Sequence, residues 1–463
     1  MSNDNLEDRY DPNEFGEDAK VDIIRPKTMI DIDNLDKWDE EFSDRSIVDF
    51  VPHADLGNII KNQYSDLVPS ILFKEYERAT EEQKQKIEEF IFKKCREVNE
   101  LPKNIITMDS DSKDFEESSL YVTNMLRPLA AAGDCYNGRD YGLNTAGIDL
   151  LYDFFPNIWD VTKKTAPMSV RQGFFYDDKL KKAIKKTLRY SDSILDLIKW
   201  LRMAGLGYCV NFRPAVAKTL YETHAPKNAK VYDYANGYGA RCLGAFMASN
   251  VREYVSVDVN TETVNNTHKL QKCLLSSVFG NNEKEMTTYL CGSEEFLQKY
   301  PQYKGYFDLS FSSPQYFNTE IYSQEETQSC HKYPQYKLWL RDFYRPTIHN
   351  AIDVLKDGGV YIINIFEKLP SISGATEDFD LKKMTKVFAA EKGFYLYKCD
   401  RYLLRTMPGA GKRLEDNTYE KRDRTIGLNF EAVWMFKHYE TLKKEGLIND
   451  EQYLKFKEND KTL

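Results

Sequence analysis

Beyond Pro226 the chain alternates short apolar runs with amphipathic stretches. Strands are predicted at 230–235, 254–259, 287–291, 306–311 and 360–366, and helices at 239–249, 265–278, 294–300, 338–355 and 381–391. Such alternation predicts a parallel sheet covered by helices on both faces. Two further β-rich runs, 394–404 and 429–437, suit an antiparallel hairpin at the edge of that sheet. The earlier part of the chain has helical periodicity instead. Thr80-Glu-Glu-Gln83 spells a capping box, and Ile87, Phe90, Ile91 and Phe92 supply an apolar face before Leu101-Pro102 ends the helix. The Asp-, Ser- and Glu-rich stretch 104–119 reads as a linker, and 120–210 as helices and loops. These boundaries divide the chain into a leader (1–50), a helical N-terminal unit with its linker (51–119), a helical and mixed accessory region (120–210), an α/β domain (211–438) and a charged C-terminal helix (439–463).

Charge refines this division. Of the 463 residues, 73 are acidic and 64 are Lys or Arg, a net charge of −9. The first 50 residues carry the whole imbalance, which leaves the body near neutral and marks the leader as a poorly ordered tail or docked arm. On 179–189, Leu180, Ile184 and Leu188 form an apolar stripe flanked by Lys and Arg. That basic face fits either a solvated surface or a phosphate-contacting one. The same two readings apply to Arg405, Lys412, Arg413, Lys421, Arg422 and Arg424, which flank the last turn. The eight cysteines are scattered without a C-x-x-C pair, as expected of reduced thiols, and no metal site is predicted. No apolar stretch reaches membrane-spanning length, and the N-terminus lacks the basic and apolar regions of a secretory signal, so a cytoplasmic location is expected.

Two constellations carry chemistry. The first is Asp233-Tyr-Ala-Asn-Gly237-Tyr-Gly239, a strand entering a glycine turn that opens a helix, with Asp258 at the end of the next strand. Glycines allow a ligand to approach the backbone, and the second acid is placed to hold ribose hydroxyls. Cys242 stands where a dinucleotide fingerprint wants Gly or Ala, which argues against NAD. The second is Ser313-Pro314-Gln315-Tyr316 after an apolar strand. Ser313 and the Pro314 carbonyl can accept the hydrogens of an amino group while a planar base stacks on Tyr316. In an open α/β sheet both constellations lie at the carboxyl ends of their strands, where they can converge. Glu431, an acid at the start of a strand, reads as structural.

Together these residues resemble the catalytic domain of S-adenosylmethionine-dependent DNA amino-methyltransferases, which act on adenine N6 or cytosine N4, and most of all methylase-like proteins of bacteriophages. The resemblance runs from about 211 to 437 through Asn211-Phe212-Arg213-Pro214, the glycine turn, Cys291-Gly-Ser293-Glu294 and the Ser313 tetrapeptide. It implies a Rossmann-like methyltransferase fold with a seven-stranded, mostly parallel sheet. It also implies S-adenosylmethionine as cofactor, held by Phe212, Asp233, Gly237, Gly239, Asp258 and Ser293, and Ser313, Pro314 and Tyr316 as catalytic residues. DNA, duplex with base flipping or single-stranded, would be the partner, and the N-terminal region could add a protein contact. One position departs from the family pattern: Gln315 replaces the second of two prolines and frees Pro314 from the restriction that a following proline imposes. That departure keeps open a methyltransferase fold serving as a binding or structural module. An enzyme acting on RNA or a nucleotide is a further alternative.

Overall fold

The computed structural model describes residues 35, 64, 67–68, 71–106, 112, 115–280, 283–366, 374–404 and 430–462. The leader, apart from Leu35, and the basic turn at 405–424 lie outside the described residues. Five strands form a parallel set: β3 (Ala229–Asp233), β4 (Val251–Asp258), β5 (Glu285–Leu290), β6 (Phe307–Ser312) and β8 (Leu355–Ile365). Two more follow, β9 (Phe394–Leu403) and β10 (Phe430–His438), and a two-residue strand β1 (Asp140–Tyr141) extends the edge. The order is β1-β9-β10-β8-β6-β3-β4-β5, an eight-stranded, mostly parallel, Rossmann-like sheet. Its eighth strand is β1, contributed by the accessory region. The antiparallel hairpin expected at the edge is present beyond the parallel set: β10 lies between β8 and β9 and is antiparallel to both. Two-residue strands β2 (Thr162–Lys163) and β7 (Glu320–Ile321) pair separately as an antiparallel ribbon.

Side chains alternate across a strand, and this sheet uses both faces. Val231, Leu309, Ile362 and Val433 join one apolar cluster, while Tyr232, Tyr361, Ile363 and Trp434 join another. The first cluster is continuous with Ile87 and Ile91 of the N-terminal helices and Leu180 and Ile184 of the accessory region. The N-terminal half therefore packs against one face of the sheet. Tyr232 stacks on Phe296 with ring centroids 4.5 Å apart, and the Tyr234 hydroxyl donates to the Ile362 carbonyl at 3.2 Å. These two tyrosines brace the strand on either side of Asp233.

Local chemistry explains most boundaries. Both capping-box bonds of Thr80 and Gln83 form at the start of Glu81–Val98. The helix Phe115–Ala130 begins inside the stretch read as a linker, because Glu116 and Glu117 suit its first turn. The predicted helix 338–355 is interrupted. Pro346 cannot donate to the carbonyl of residue 342, and the turn Leu340–Tyr344 widens before Arg345–Asp353 resumes. The C-terminal helix is likewise two, Tyr439–Lys444 and Asp450–Thr462, separated near Gly446 at φ +71°. No described helix is long and apolar enough to cross a membrane.

Gly239 fixes how the first helix after β3 meets the accessory region. Its φ is +72°, and a Cβ there would lie 2.6 Å from Phe155 Cε2 and 2.9 Å from Leu270 Cδ2. Gly239→Ala is expected to cost about 1–3 kcal/mol, from the strained backbone and the overpacking together. Chemical denaturation checks this, and a loss below about 0.5 kcal/mol, the usual range of an innocuous surface change, would contradict it.

Candidate active site

The strand order reverses beside β3, with β4 and β5 on one side and β6 and β8 on the other. Ligands of open α/β sheets lie beyond the carboxyl ends of the strands at such a switch point. A cavity of about 380 Å³ opens there, and it reaches from the glycine turn to the loop after β6. Phe212, Gly237, Asp258, Ser293, Ser313 and Pro314 all line it, as does Tyr316. The structure thus brings seven of the nine sequence-predicted site residues to one space. Asp233 and Gly239 are not among the lining residues.

The reason for Asp233 is Arg241, which the sequence analysis missed. Asp233 is fully buried, and its carboxylate accepts from Arg241 Nε at 2.8 Å and from the Tyr254 hydroxyl at 2.7 Å. The amide of Ala235 donates to its other oxygen at 3.2 Å. This carboxylate, which the resemblance assigns to the cofactor, is held in an internal ion pair. Arg241 also donates to the carbonyls of Ala235 and Asn236, so one guanidinium ties the strand end to the turn. An arginine two residues past the second glycine, at the head of an otherwise apolar helix, was the available signal. Gly239 is spent on packing against Phe155.

Gly237 is open to the cavity: at φ +58°, a Cβ would find nothing closer than 3.9 Å. Its amide donates to Asp258 Oδ2 at 2.9 Å, while the Asn260 amide donates to Oδ1 at 2.9 Å. Burial outweighs these bonds and pushes the Asp258 carboxyl up to about 6. Phe212 stacks on Tyr402 with centroids 4.5 Å apart and forms an aromatic wall. Ser293 shares a hydrogen bond with Thr347 at 2.8 Å. Its neighbour Glu294 pairs with Lys332 at 2.8 Å.

The other end of the cavity rests on β6, β8 and β10. The Phe366 amide donates to the Tyr316 hydroxyl at 3.1 Å, and that hydroxyl donates to the Asn364 carbonyl at 3.3 Å. The ring is thereby fixed across the end of β8. Gln315, which also lines the cavity, holds the same loop. Its Nε2 donates to the Phe317 carbonyl at 2.6 Å and the Glu320 carbonyl at 3.1 Å, and its Oε1 accepts from Ser329 Oγ at 3.0 Å. Trp339 Nε1 donates in turn to Ser329 Oγ at 2.9 Å. Phe317 sits at φ +53°, a conformation a bulky residue adopts only when its surroundings enforce it. The β2–β7 ribbon, with Lys163 and Glu320 paired at 3.0 Å, brings the accessory region onto this loop. Among the described residues no three His, Cys, Asp or Glu side chains converge to hold a metal ion.

No protein-family model matches the chain, and no curated protein matches it. Solved structures are similar over about half of it. A precorrin-6y C5,15-methyltransferase from Geobacter metallireducens is 13% identical, covering 49% of this chain and 87% of that one, with a TM-score of 0.29. A 1,6-didemethyltoxoflavin-N1-methyltransferase from Burkholderia thailandensis is 14% identical over 48% and 76%, with a TM-score of 0.28. A branched-chain polyamine synthase from Thermus thermophilus is 9% identical over 49% and 55%, with a TM-score of 0.30. Likeness at this level assigns neither chemistry nor substrate.

The Gln315 network generates a prediction. Gln315→Ala removes three hydrogen bonds and leaves the Phe317 and Glu320 carbonyls short of a donor, so a destabilisation of about 1–3 kcal/mol is expected. Limited proteolysis should then cut between Ser313 and Tyr322 faster than in the parent. Unchanged cleavage there would show that the loop does not depend on Gln315.

Proposed function

We propose that the chain binds S-adenosylmethionine and directs methyl transfer to an exocyclic amino group of a DNA base, adenine N6 or cytosine N4. The observation that supports this reading is the single cavity joining the Gly237 turn to Ser313 and Pro314. The fit of the cofactor rests on the open face of Gly237, the carboxylate of Asp258 at the end of β4, and the aromatic side of Phe212. When bound, the sulfonium supplies an electrophilic methyl group whose carbon–sulfur bonding pair returns to sulfur. Phe212, Gly237, Asp258 and Ser293 would hold it, and Asp233 and Gly239 would act behind them by shaping the turn.

The chain's own residues do the remaining work. An amino group conjugated to a ring is a poor nucleophile, because its lone pair is delocalised. Ser313 Oγ and the Pro314 carbonyl would accept its two hydrogens and turn the lone pair out of the ring plane. Tyr316, fixed by Asn364 and Phe366, would cover the base. Positioning and oriented acceptors of this kind need no covalent enzyme intermediate. A base inside a duplex would have to flip out to reach this cavity, at a cost of a few kcal/mol.

Ser313→Ala is expected to lower methyl transfer about 100-fold, the loss of roughly 3 kcal/mol of transition-state stabilisation. Its affinity for S-adenosylhomocysteine in calorimetry should stay within a factor of two. Equal loss of both would move Ser313 to the cofactor side. The acceptor is identified by incubating the protein with labelled methyl donor and duplex DNA, single-stranded DNA or RNA, followed by nucleoside mass spectrometry. Label in RNA alone would replace DNA as the substrate, and absence of cofactor binding at high micromolar ligand would overturn the reading.

A further inference from the structure

Glu431 lies in the same cavity, and the proposed reaction has no use for it so far. It belongs to a polar row laid across neighbouring strands. In register, Ser312 of β6 faces Ile363 of β8, which sets Ser313 beside Asn364. Asn364 faces Val433 of β10, and Glu431 projects from the same face two residues away, opposite Tyr402 of β9. Ser313, Asn364, Glu431 and Tyr402 all line the cavity. Asn364 is 1% exposed, and its Oδ1 has no hydrogen-bond partner while its Nδ2 donates to the Ala432 carbonyl at 3.2 Å.

Among the described residues three carboxylates line the cavity, and two are committed elsewhere. Asp258 accepts from two backbone amides at the β4 end. Glu320 pairs with Lys163 and accepts from the Tyr322 hydroxyl in the ribbon. Among the described residues Glu431 has no cation within ion-pair distance, and it stands on the Ser313 and Tyr316 side. Methylation of a neutral amino group leaves the nitrogen with one proton too many. Ser313 and the Pro314 carbonyl can accept hydrogen bonds, but neither can hold that proton.

Building on the proposed function, we propose that Glu431 is the proton acceptor of the amino group. Once methylated, the nitrogen is tetrahedral and one of its hydrogens leaves the Ser313–Pro314 pair; that nitrogen–hydrogen bond breaks, its pair stays on nitrogen, and the proton forms an O–H bond on the Glu431 carboxylate before leaving for solvent. A carboxyl working at neutral pH must be tuned upward, and burial pushes Glu431 up to about 7. The groups facing it are Asn364 of β8, whose hydrogen bond lowers it, Glu320 of β7, which raises it, and Arg213 and Lys163, which lower it. The hydroxyls of Tyr316 and Tyr402 stay protonated across this range and contribute no charge of their own.

The test measures kcat/KM for the acceptor at saturating S-adenosylmethionine, so that Asp258 does not enter. From pH 8 downward the parent is expected to hold constant to about pH 7 and then fall tenfold per pH unit. Glu431→Gln should lose 100-fold or more, within the usual range for a general base, and should lose the acid limb. Its affinity for S-adenosylhomocysteine should be retained, which also shows that it folds. A parent profile flat from pH 5.5 to 8.5, or a variant within twofold of the parent, overturns the role of Glu431 and leaves the methyl-transfer reading standing. A parent that methylates no acceptor overturns both. Thermal unfolding supplies a readout apart from activity. A carboxyl raised from about 4.5 to about 7 on folding costs stability progressively as pH rises through that window, and the cost is constant above it. The melting temperature of Glu431→Gln should therefore gain on the parent between pH 5 and pH 8. A gap that does not widen would show that Glu431 does not titrate near neutrality, and would also overturn the proposal.

Discussion

The buried pair of Asp233 and Arg241 is the contact on which the rest of the site is built. A carboxylate with no exposure is costly unless a charge and hydrogen bonds compensate it, and here a guanidinium, a tyrosine hydroxyl and a backbone amide do so. The same guanidinium reaches two carbonyls of the turn. The end of β3, the course of the chain toward Gly237 and the start of the following helix are therefore coupled through one side chain. Truncating either partner would leave the other buried and uncompensated, a loss of about 3–5 kcal/mol. The open backbone at Gly237 exists because its neighbours are held this tightly.

The loop after β6 solves a similar problem by other means. A second proline at 315 would limit Pro314 by sterics alone. Gln315 reaches across the loop instead, tying two of its carbonyls and receiving a hydrogen bond from Ser329, which Trp339 anchors. Covalent restriction is exchanged for a hydrogen-bond network. The network brings residue 320 under the same control, and residue 320 pairs with the accessory region through β2 and β7. A decayed loop would leave Gln315 without this set of partners, so its bonding favours a maintained loop over a lost one.

The sequence was most legible where periodicity is local. The five parallel strands and their helices fall within a few residues of their predicted positions, because apolar alternation and glycine turns are short-range signals. Partnership between distant segments was harder to read. β9 and β10 form the antiparallel edge hairpin that their succession suggested, but which of the two joins β8 has no local signal. The two-residue strands β1, β2 and β7 have no period to detect. Seven of nine site residues line the cavity, and all but Phe212, which precedes a helix, lie on a glycine turn or at or just after the end of a strand. Asp233 lies outside the cavity lining, and its partner, Arg241, looks from sequence like an ordinary helical residue. Glu431 read as structural, as an acid at the start of a strand more often is, and only the register with Asn364 and Tyr402 shows where it points.

The two ends of the cavity differ in how they treat a carboxylate. Asp258 is buried, but two backbone amides donate to it, and those bonds favour its charged form and oppose the upward pull of burial. Glu431 is buried with side-chain help from Asn364, and the nearby charge of Glu320 pushes further in the direction of burial. Burial raises both, Asp258 to about 6 and Glu431 to about 7, and what differs is the company: two backbone amides at one end, a side-chain amide and a second carboxylate at the other. The proposed reaction would place cofactor hydroxyls at one end and the departing proton at the other. The strand order keeps the two carboxyls apart, because β4 and β10 lie on opposite sides of the switch point beside β3.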